Sequence, residues 1–272
     1  MTTIDRTDTA TPTERRTRLG DAAVGLARRN FVNLTRLPSA FLPALIMPIV
    51  QAVAFSGTFF AIIQIPGFPT DRSINWYMPL AVLMGCGFAG VGLGFATIRD
   101  VEGGFHDRLR LTPAPRMSLI VGPMLTATFR AVLATTMVVL VGFLFGARLT
   151  HGALGLVPLY VAGLGMAVIG AGWALGLAFV FRDMRGAAIM QLTLFVALFL
   201  TEAQTPAFVI EGWLDAVVRV NPFNNILRLA RMGWLDPAMT WDDAWGGIVA
   251  IMGLSAATIV FARRSLNGLS NR

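Results

Sequence analysis

Few residues of this 272-residue chain have the chemistry that catalysis or metal binding requires. All 22 basic residues are arginine, so the chain has neither a phosphate-binding loop ending in Gly-Lys-Ser/Thr nor a Schiff-base lysine. Cys86 is the single cysteine, and His106 and His151 are the two histidines; no pair among them has metal-ligand spacing. We therefore expect no nucleotide hydrolysis by this chain itself and no disulfide, zinc or haem.

Two charged side chains stand inside long apolar segments. At 1.5 Å per residue, Arg130 would lie close to the bilayer midplane and Glu202 toward the outer side. A charge near the bilayer centre costs from about 3 kcal/mol upward, so it normally faces a protein interior or a wet cavity. We expect a substrate path lined by the following polar residues: Glu202, Gln204, Arg130 and Gln51. The alternative, a structural charge held between helices, stays open for both Arg130 and Glu202.

The elements that must position these residues are six apolar stretches. Hydrophobic residues make up 55% of the chain and charged residues 14%, against about 25% charged in soluble domains. Each stretch is long enough to cross a bilayer, which takes about 20 residues: 37–70, 73–98, 117–147, 152–181, 186–210 and 244–262. The pattern predicts an all-α integral membrane protein with six transmembrane helices in one domain, 19–265, between a disordered cytosolic tail, 1–18, and a second tail, 266–272.

The distribution of arginines predicts the orientation. Sixteen arginines lie in the two terminal segments and the loops after the second and fourth stretches, whereas five lie in the intervening loops. The positive-inside rule therefore places both termini in the cytoplasm. Arginine in place of every lysine is typical of a GC-rich bacterial genome, which points to a bacterial inner membrane. The net charge of +7 is dispersed over segment ends, so we expect no nucleic-acid partner.

The segment before the first stretch has its own pattern. Apolar residues alternate with charged ones over Leu19–Arg36, which predicts an amphipathic helix lying in the inner interface and ending before Pro38. An ordinary charged lead-in is the alternative. Small residues spaced four apart, Gly90 with Gly94 and Gly172 with Gly176, predict close helix packing inside one subunit.

The loop between the second and third stretches, 99–116, is longer than a connector needs to be. It has a short helical pattern over 105–111, a stop at Pro113 and Pro115, and an apolar side chain at Phe105. We expect it to contact a cytosolic partner. A loop anchored to lipid headgroups by its arginines is the alternative.

The segment after the fifth stretch is interrupted by polar residues. Glu202 and Gln204 break the apolar run, and Pro206 ends the helix. Trp213 and Trp234 are suited to the headgroup level. These features predict a re-entrant outer hairpin over 202–231, because non-helical backbone at membrane depth must be buried in protein or line a wet cavity. An interfacial helix without substrate contact is the alternative.

Two blocks of sequence resemble a known family. They are Glu-Gly-Gly-Phe-His-Asp-Arg-Leu-Arg-Leu-Thr-Pro-Ala-Pro-Arg at 102–116, and Pro-Ala-Phe-Val-Ile-Glu-Gly-Trp-Leu at 206–214 followed by Asn-Pro-Phe-Asn-Asn-Ile-Leu-Arg-Leu-Ala-Arg at 221–231. Their order and spacing are similar to the ABC type-2 permease family, in its daunorubicin/doxorubicin-resistance branch. Glu211 departs from the pattern, since a proline commonly precedes the Gly-Trp pair.

The resemblance implies partners for this chain. Loop 102–116 would be the coupling helix that docks on a cytosolic ATP-binding-cassette subunit, where ATP and magnesium would be bound. The expected partner contacts are Glu102, Arg108, Leu109, Thr112 and Pro113, together with Phe105 from the apolar pattern. A second permease chain, identical or homologous, would complete the pathway, with the dimer interface in the first and fifth spans.

The leading functional hypothesis is a permease subunit, not itself an enzyme, that exports a lipophilic or amphipathic molecule such as a drug, lipid or glycolipid. Membrane lipid is then also a partner. The first alternative is a membrane enzyme acting on lipid headgroups, for which Asp100, Glu102 and Asp107 are the candidate carboxylates. The second is a membrane scaffold, which would leave the intramembrane charges without a role.

Overall fold

The computed structural model describes residues 19–36, 38–104, 115–150, 152–235 and 241–270. Nine α-helices lie within these residues: α1 (Leu19–Arg36), α2 (Pro38–Thr58), α3 (Ser73–Glu102), α4 (Ser118–Leu144), α5 (Leu156–Phe181), α6 (Arg185–Phe199), α7 (Trp213–Val220), α8 (Pro222–Arg231) and α9 (Trp241–Ser270). Short 3-10 turns follow α2, precede α5 and precede α7. The predicted tail 1–18 lies outside the described residues.

Four helical segments in the described residues are long and apolar enough to cross a membrane: Ser73–Glu102, Ser118–Leu144, Ala153–Phe181 and Ala244–Gly268. The chain is thus a helical integral membrane protein. Of the other two predicted spans, α2 has 21 residues, whereas Arg185–Phe199 is a shorter apolar helix. At 1.5 Å per residue the latter is about 22 Å long, less than the roughly 30 Å of hydrocarbon.

The fifth predicted stretch is helical over only its first part. Helix α6 ends at Phe199, so Glu202 lies after the helix rather than inside a span. The sixth is longer than predicted, because α9 continues to Ser270 and includes part of the predicted tail.

Helices α3 and α5 form the centre of the bundle. The apolar segment of α3 that is suited to cross the membrane is 78% buried inside the bundle, and that of α5 is 67% buried, against 17% for α9. The two helices lie so close together that a Cβ on Gly90 would be 2.5 Å from the Ala171 nitrogen, and one on Gly170 would be 2.6 Å from the Gly87 oxygen. Glycine, which has no Cβ, permits this approach. Gly172 lies equally close to Thr258 of α9. The predicted packing of small residues inside one chain is confirmed.

The predicted N-terminal helix exists with the predicted bounds and packs against α4. Leu26 of α1 contacts Gly122, and the rings of Phe31 and Phe129 meet edge to face with centroids 5.0 Å apart. These pairs are about two turns apart on α4. Part of the apolar face of α1 is therefore covered by protein, and its place at the lipid interface stays a prediction.

The bundle has two distinct ends. At the loop end, α3 finishes at Glu102 and α4 begins at Ser118, on either side of the predicted partner-binding loop. At the opposite end, which we call the hairpin end, α3 begins, α4 finishes, and α7 and α8 join α6 to α9. The candidate site lies at the hairpin end.

Candidate functional site

Asn221 brings the end of α6 and the start of α8 together. Its side-chain amide donates to the carbonyl oxygens of Ala197 (2.8 Å) and Leu200 (2.7 Å), which have no further helical turn to bond. Its side-chain oxygen accepts from the Phe223 amide at 3.0 Å and caps α8, where Pro222 occupies the first turn. This one residue ends one helix and begins another, and the segment after α6 is held against α8.

The held segment carries Glu202 into a buried group that we call the outer polar cluster: Trp76, Glu202, Asn224, Arg228 and Arg231. Glu202 is 6% exposed. Its carboxylate accepts two hydrogen bonds from Arg228, from Nε at 3.0 Å and from Nη2 at 3.2 Å. Its backbone amide donates to the Asn224 side-chain oxygen at 3.0 Å. The two-point geometry is the strong form of an arginine–carboxylate pair.

Arg231 is the most deeply buried charge of the cluster, at 1% exposure. It donates to three backbone carbonyl oxygens: Glu202 at 3.0 Å, Ala203 at 3.1 Å and Trp76 at 3.3 Å. Its guanidinium carbon lies 3.5 Å from the centre of the Trp76 ring, a cation–π contact. Burial lowers the pKa of Arg231 to about 9, and the Glu202 carboxylate acts in the opposite direction. The side chain is therefore still protonated at neutral pH.

The cluster has two guanidinium groups and one carboxylate, so it carries a net positive charge. Arg231 is enclosed, whereas the side chain of Arg228 is 39% exposed and extends the positive charge toward the surface. Arg228 lies on a cleft of about 430 Å³ that we call the hairpin cleft, which is also lined by Asp215, Arg219 and Asn225. A positive surface of this kind, backed by a buried carboxylate, suits the polar end of an amphipathic molecule.

The structure places the four predicted path residues in different regions. Gln204 lies beside the cluster, and its backbone oxygen accepts from the Tyr77 hydroxyl at 3.1 Å. Arg130 lies near the middle of α4, against α3 at Gly92, about 20 Å along the helix from the hairpin end. Gln51 is half-buried on α2. Glu202 and Gln204 are therefore brought together, and Arg130 lies at a different depth.

The two tryptophans predicted at headgroup level differ in exposure. Trp213 is 71% exposed, as the prediction requires. Trp234 is fully buried, with its ring 5.8 Å from that of Phe143. Trp234 therefore faces protein and not lipid, and its level relative to the headgroups stays a prediction.

At the loop end, Glu102 is exposed at the last turn of α3. The other predicted partner contacts, Phe105, Arg108, Leu109, Thr112 and Pro113, lie outside the described residues. Two residues earlier on α3, Asp100 accepts two hydrogen bonds from Arg29 of α1, at 2.6 and 2.9 Å. Because Asp100 is held by this pair, it is poorly suited to act as a base on lipid headgroups.

Sequence reasoning missed Arg228 and Arg231 as the partners of Glu202. A signal was present: these are two of the five arginines on the side where the positive-inside rule makes arginine scarce. They are also three residues apart, and so share one face of α8. Arginines on the unfavoured side, spaced along one helix face, indicate an internal anion.

Comparison with known proteins agrees with this architecture. The family model described as ABC-2 type transporter matches residues 23–234, which run from α1 through the outer polar cluster. The chain is also similar to the daunorubicin resistance ABC transporter permease protein DrrB1 of Streptomyces coeruleorubidus. The two are 24% identical over 218 residues, covering 79% of this chain and 75% of that protein.

Proposed function

The chain belongs to the ABC-2 type transporter family, and from this premise we propose that it exports a lipophilic or amphipathic molecule from the cytoplasm or inner leaflet of a bacterial cell. It is the membrane permease of an ABC exporter, and ATP is hydrolysed on separate nucleotide-binding subunits. The name of the similar Streptomyces protein makes a daunorubicin-like drug the first substrate to test.

The proposed topology has six spans, of which α6 is the short one. Both termini lie in the cytoplasm, and α7 and α8 form the re-entrant hairpin at the outer surface. The buried outer polar cluster supports this arrangement, because the charges and non-helical backbone after α6 are satisfied by protein instead of lipid. A second permease chain, identical or homologous, completes the pathway.

The observation that carries the proposal is the position of Arg228. Its guanidinium is fixed on one side by the buried Glu202 carboxylate and reaches the hairpin cleft on the other. We infer that a substrate leaving the pathway meets this positive surface with its polar end. Glu202 then acts on the substrate through Arg228, by fixing its orientation.

ATP hydrolysis by the partner subunit is proposed to act on the loop end of the bundle. Loop 102–116 is proposed to dock on the ATP-binding subunit, with Glu102, Phe105, Arg108, Leu109, Thr112 and Pro113 as contacts. ATP and magnesium are bound by that subunit. Movement of the docked loop is passed to α3 directly, because α3 ends where the loop begins.

The test uses the chain expressed together with its ATP-binding subunit in a drug-sensitive bacterium. We expect lower accumulation of daunorubicin than in cells with the ATP-binding subunit alone. Leu109→Asp should abolish this difference at equal membrane expression. The matched control is Leu154→Asp, because Leu154 is 81% exposed just before α5, near the hairpin end. Normal export by Leu109→Asp would contradict the docking proposal, and unchanged drug accumulation with the wild type would contradict the substrate class.

A further inference from the structure

A second cleft at the hairpin end lies between the end of α2, the start of α3 and the end of α4. Its volume is about 470 Å³. It is lined by Val53, Ser56, Gly57, Phe60, Asp71, Arg72, Ser73, Ile74, Phe145 and Gly146. None of these residues belongs to the outer polar cluster, and we call this space the Arg72 cleft.

The polar side of the Arg72 cleft presents two opposite charges. Arg72 donates from Nη1 to the carbonyl oxygen of Gly146 at 2.8 Å. Gly146 has a φ of 89°, and a Cβ there would lie 3.4 Å from the same nitrogen, so glycine suits both the turn and the contact. Asp71 lies beside Arg72, with Oδ1 3.8 Å from Nε. A guanidinium has five N–H donors, so Arg72 retains the capacity to bind an anion while it holds Gly146.

The exposures of the two charges differ. The Arg72 side chain is 30% exposed and the Asp71 side chain 85%. The cation is therefore fixed in the wall of the cleft, while the carboxylate stands at its mouth. A ligand that fits this order has an anionic group inside and a cationic group outside.

The other side of the Arg72 cleft is apolar. Phe60 and Phe145 are 56% and 58% exposed, and Val53 and Ile74 continue the same wall toward the interior of the bundle. Large exposed aromatic side chains beside a charged pair are unusual in water but ordinary at the boundary between hydrocarbon and headgroups.

The depth of the cleft matches that boundary. Helix α3 has 30 residues and begins here, and α4 has 27 residues and ends here. Helices of that length span about 40 Å, more than the roughly 30 Å of hydrocarbon, so their ends reach the headgroup region. A charged pair with an apolar wall lies at the level where lipid headgroups meet acyl chains.

We propose that the Arg72 cleft binds a zwitterionic phospholipid that carries a phosphate and an ammonium group, as in phosphatidylethanolamine. The phosphate is bound by Arg72, the ammonium by Asp71, and an acyl chain lies along Phe60 and Phe145. Arginine binds phosphate oxygens with charge-assisted hydrogen bonds, which explains why the inner charge is positive. The site is separate from the hairpin cleft and does not depend on the exported substrate.

The test measures lipid bound to the full-length chain, purified in detergent and mixed with phosphatidylethanolamine, by native mass spectrometry. We expect Arg72→Gln to weaken binding about tenfold, the loss of one charge-assisted contact. Arg148→Gln is the matched control: Arg148 is exposed, follows the same turn and does not line the cleft. Its lipid binding should equal that of the wild type.

Two further variants test the assignment of the groups. Asp71→Asn should remove the preference for phosphatidylethanolamine over phosphatidylglycerol, which lacks the ammonium group. Phe60→Ala should weaken both lipids, because it shortens the apolar wall. Both residues are exposed, so these variants decide the matter even if Arg72→Gln does not fold.

Three results would overturn the proposal. They are equal lipid binding by Arg72→Gln and Arg148→Gln, an unchanged lipid preference in Asp71→Asn, and displacement of the lipid by millimolar inorganic phosphate. The last would show a site for free phosphate rather than for a membrane lipid.

Discussion

The two ends of the helix bundle are held by different means. At the hairpin end, buried polar side chains tie separate segments together through backbone groups: Asn75, Asn221 and Arg231 together make eight hydrogen bonds to backbone atoms outside their own helix. At the loop end, the described residues show a different device, the ion pair between Arg29 and Asp100, whose side chains are 35% and 24% exposed. One end is fixed by buried bonds and the other by a half-exposed charge pair.

This difference indicates how the molecule divides its tasks. Buried bonds to backbone groups are expensive to break, because each leaves a polar group without a partner. The Arg29–Asp100 pair also has two-point geometry, but water reaches both side chains, so its exchange for water costs less than the loss of a buried bond. The hairpin end is therefore suited to stay fixed while the loop end moves with its partner, and the predictions below test that contrast.

The largest effect is expected at Arg231. Arg231→Met removes the donor to three buried carbonyl oxygens and the cation over Trp76. We expect destabilisation of about 3 kcal/mol or more, measured as a lower thermal unfolding temperature in detergent. Arg219→Met is the matched control, since Arg219 forms an exposed pair with Asp215 one turn away on α7. Its loss should leave the unfolding temperature close to that of the wild type, because water reaches both partners of this pair. Equal effects of the two variants would show that the buried bonds of Arg231 do not hold the hairpin end.

Arg231 also shows where sequence reasoning stops. The existence of the helices and several of their bounds could be predicted from apolar runs and prolines. Helix α1 was predicted as Leu19–Arg36, and the first residues of α3 and α4 were predicted to within one residue. The need of Glu202 for a partner also followed from its place in an apolar run. The identity of that partner did not, because Arg228 and Arg231 lie 26 and 29 residues away and are brought in by Asn221, whose role requires knowing where α6 ends.

The end of α6 is a further case of this kind. The predicted fifth stretch runs to Ile210, with its local signals for a break at Glu202, Gln204 and Pro206. The structure ends the helix at Phe199 because the Asn221 side chain takes up the carbonyl oxygens of Ala197 and Leu200. Long-range hydrogen bonds place the bound at Phe199, three residues before Glu202, the first of the local signals.

A smaller loss of stability is expected at Asn75, which is 2% exposed. Its amide donates to the carbonyl oxygens of Arg148 and Trp234, both at 3.0 Å, and its side-chain oxygen accepts from the Arg148 amide at 3.1 Å. Asn75→Ala should cost about 2 kcal/mol, because these buried backbone groups lose their partner. The control is Gln191→Ala on α6, which removes an exposed amide. An unfolding temperature for Asn75→Ala as high as that of the control would show that the hairpin end tolerates loosening.

Variants of Glu202 and Arg130 test whether each charge is structural or lies on the export pathway. Glu202→Gln keeps one acceptor for Arg228 but removes the negative charge, so we expect a loss of stability of about 1 kcal/mol and altered export per folded molecule. Arg130→Met tests a charge at a different depth. Export is measured with membrane expression and unfolding temperature. Normal export and normal folding in both variants would exclude a pathway role. Lost folding with unchanged export per folded molecule would assign both charges to structure.

The smallest stability effect is expected at the loop end, where the consequence for function should nonetheless be large. The pair between Arg29 and Asp100 is partly exposed, so Arg29→Gln and Asp100→Asn should each cost about 0.5 to 1 kcal/mol in unfolding free energy. Asp100, however, lies in the last turn of α3, two residues before the helix ends at Glu102, and Arg29 attaches that turn to α1. If the pair orients the loop, either variant should reduce substrate-dependent ATP hydrolysis by the partner subunit while the protein unfolds at nearly the wild-type temperature.

The control is the double variant Arg29→Asp with Asp100→Arg, which exchanges the two charges and should restore coupling. If the pair only stabilised the protein, the single variants would not lose coupling in the first place. Full coupling in the single variants would show instead that α1 is a passive support, and that only the loop itself connects the membrane bundle to its source of energy.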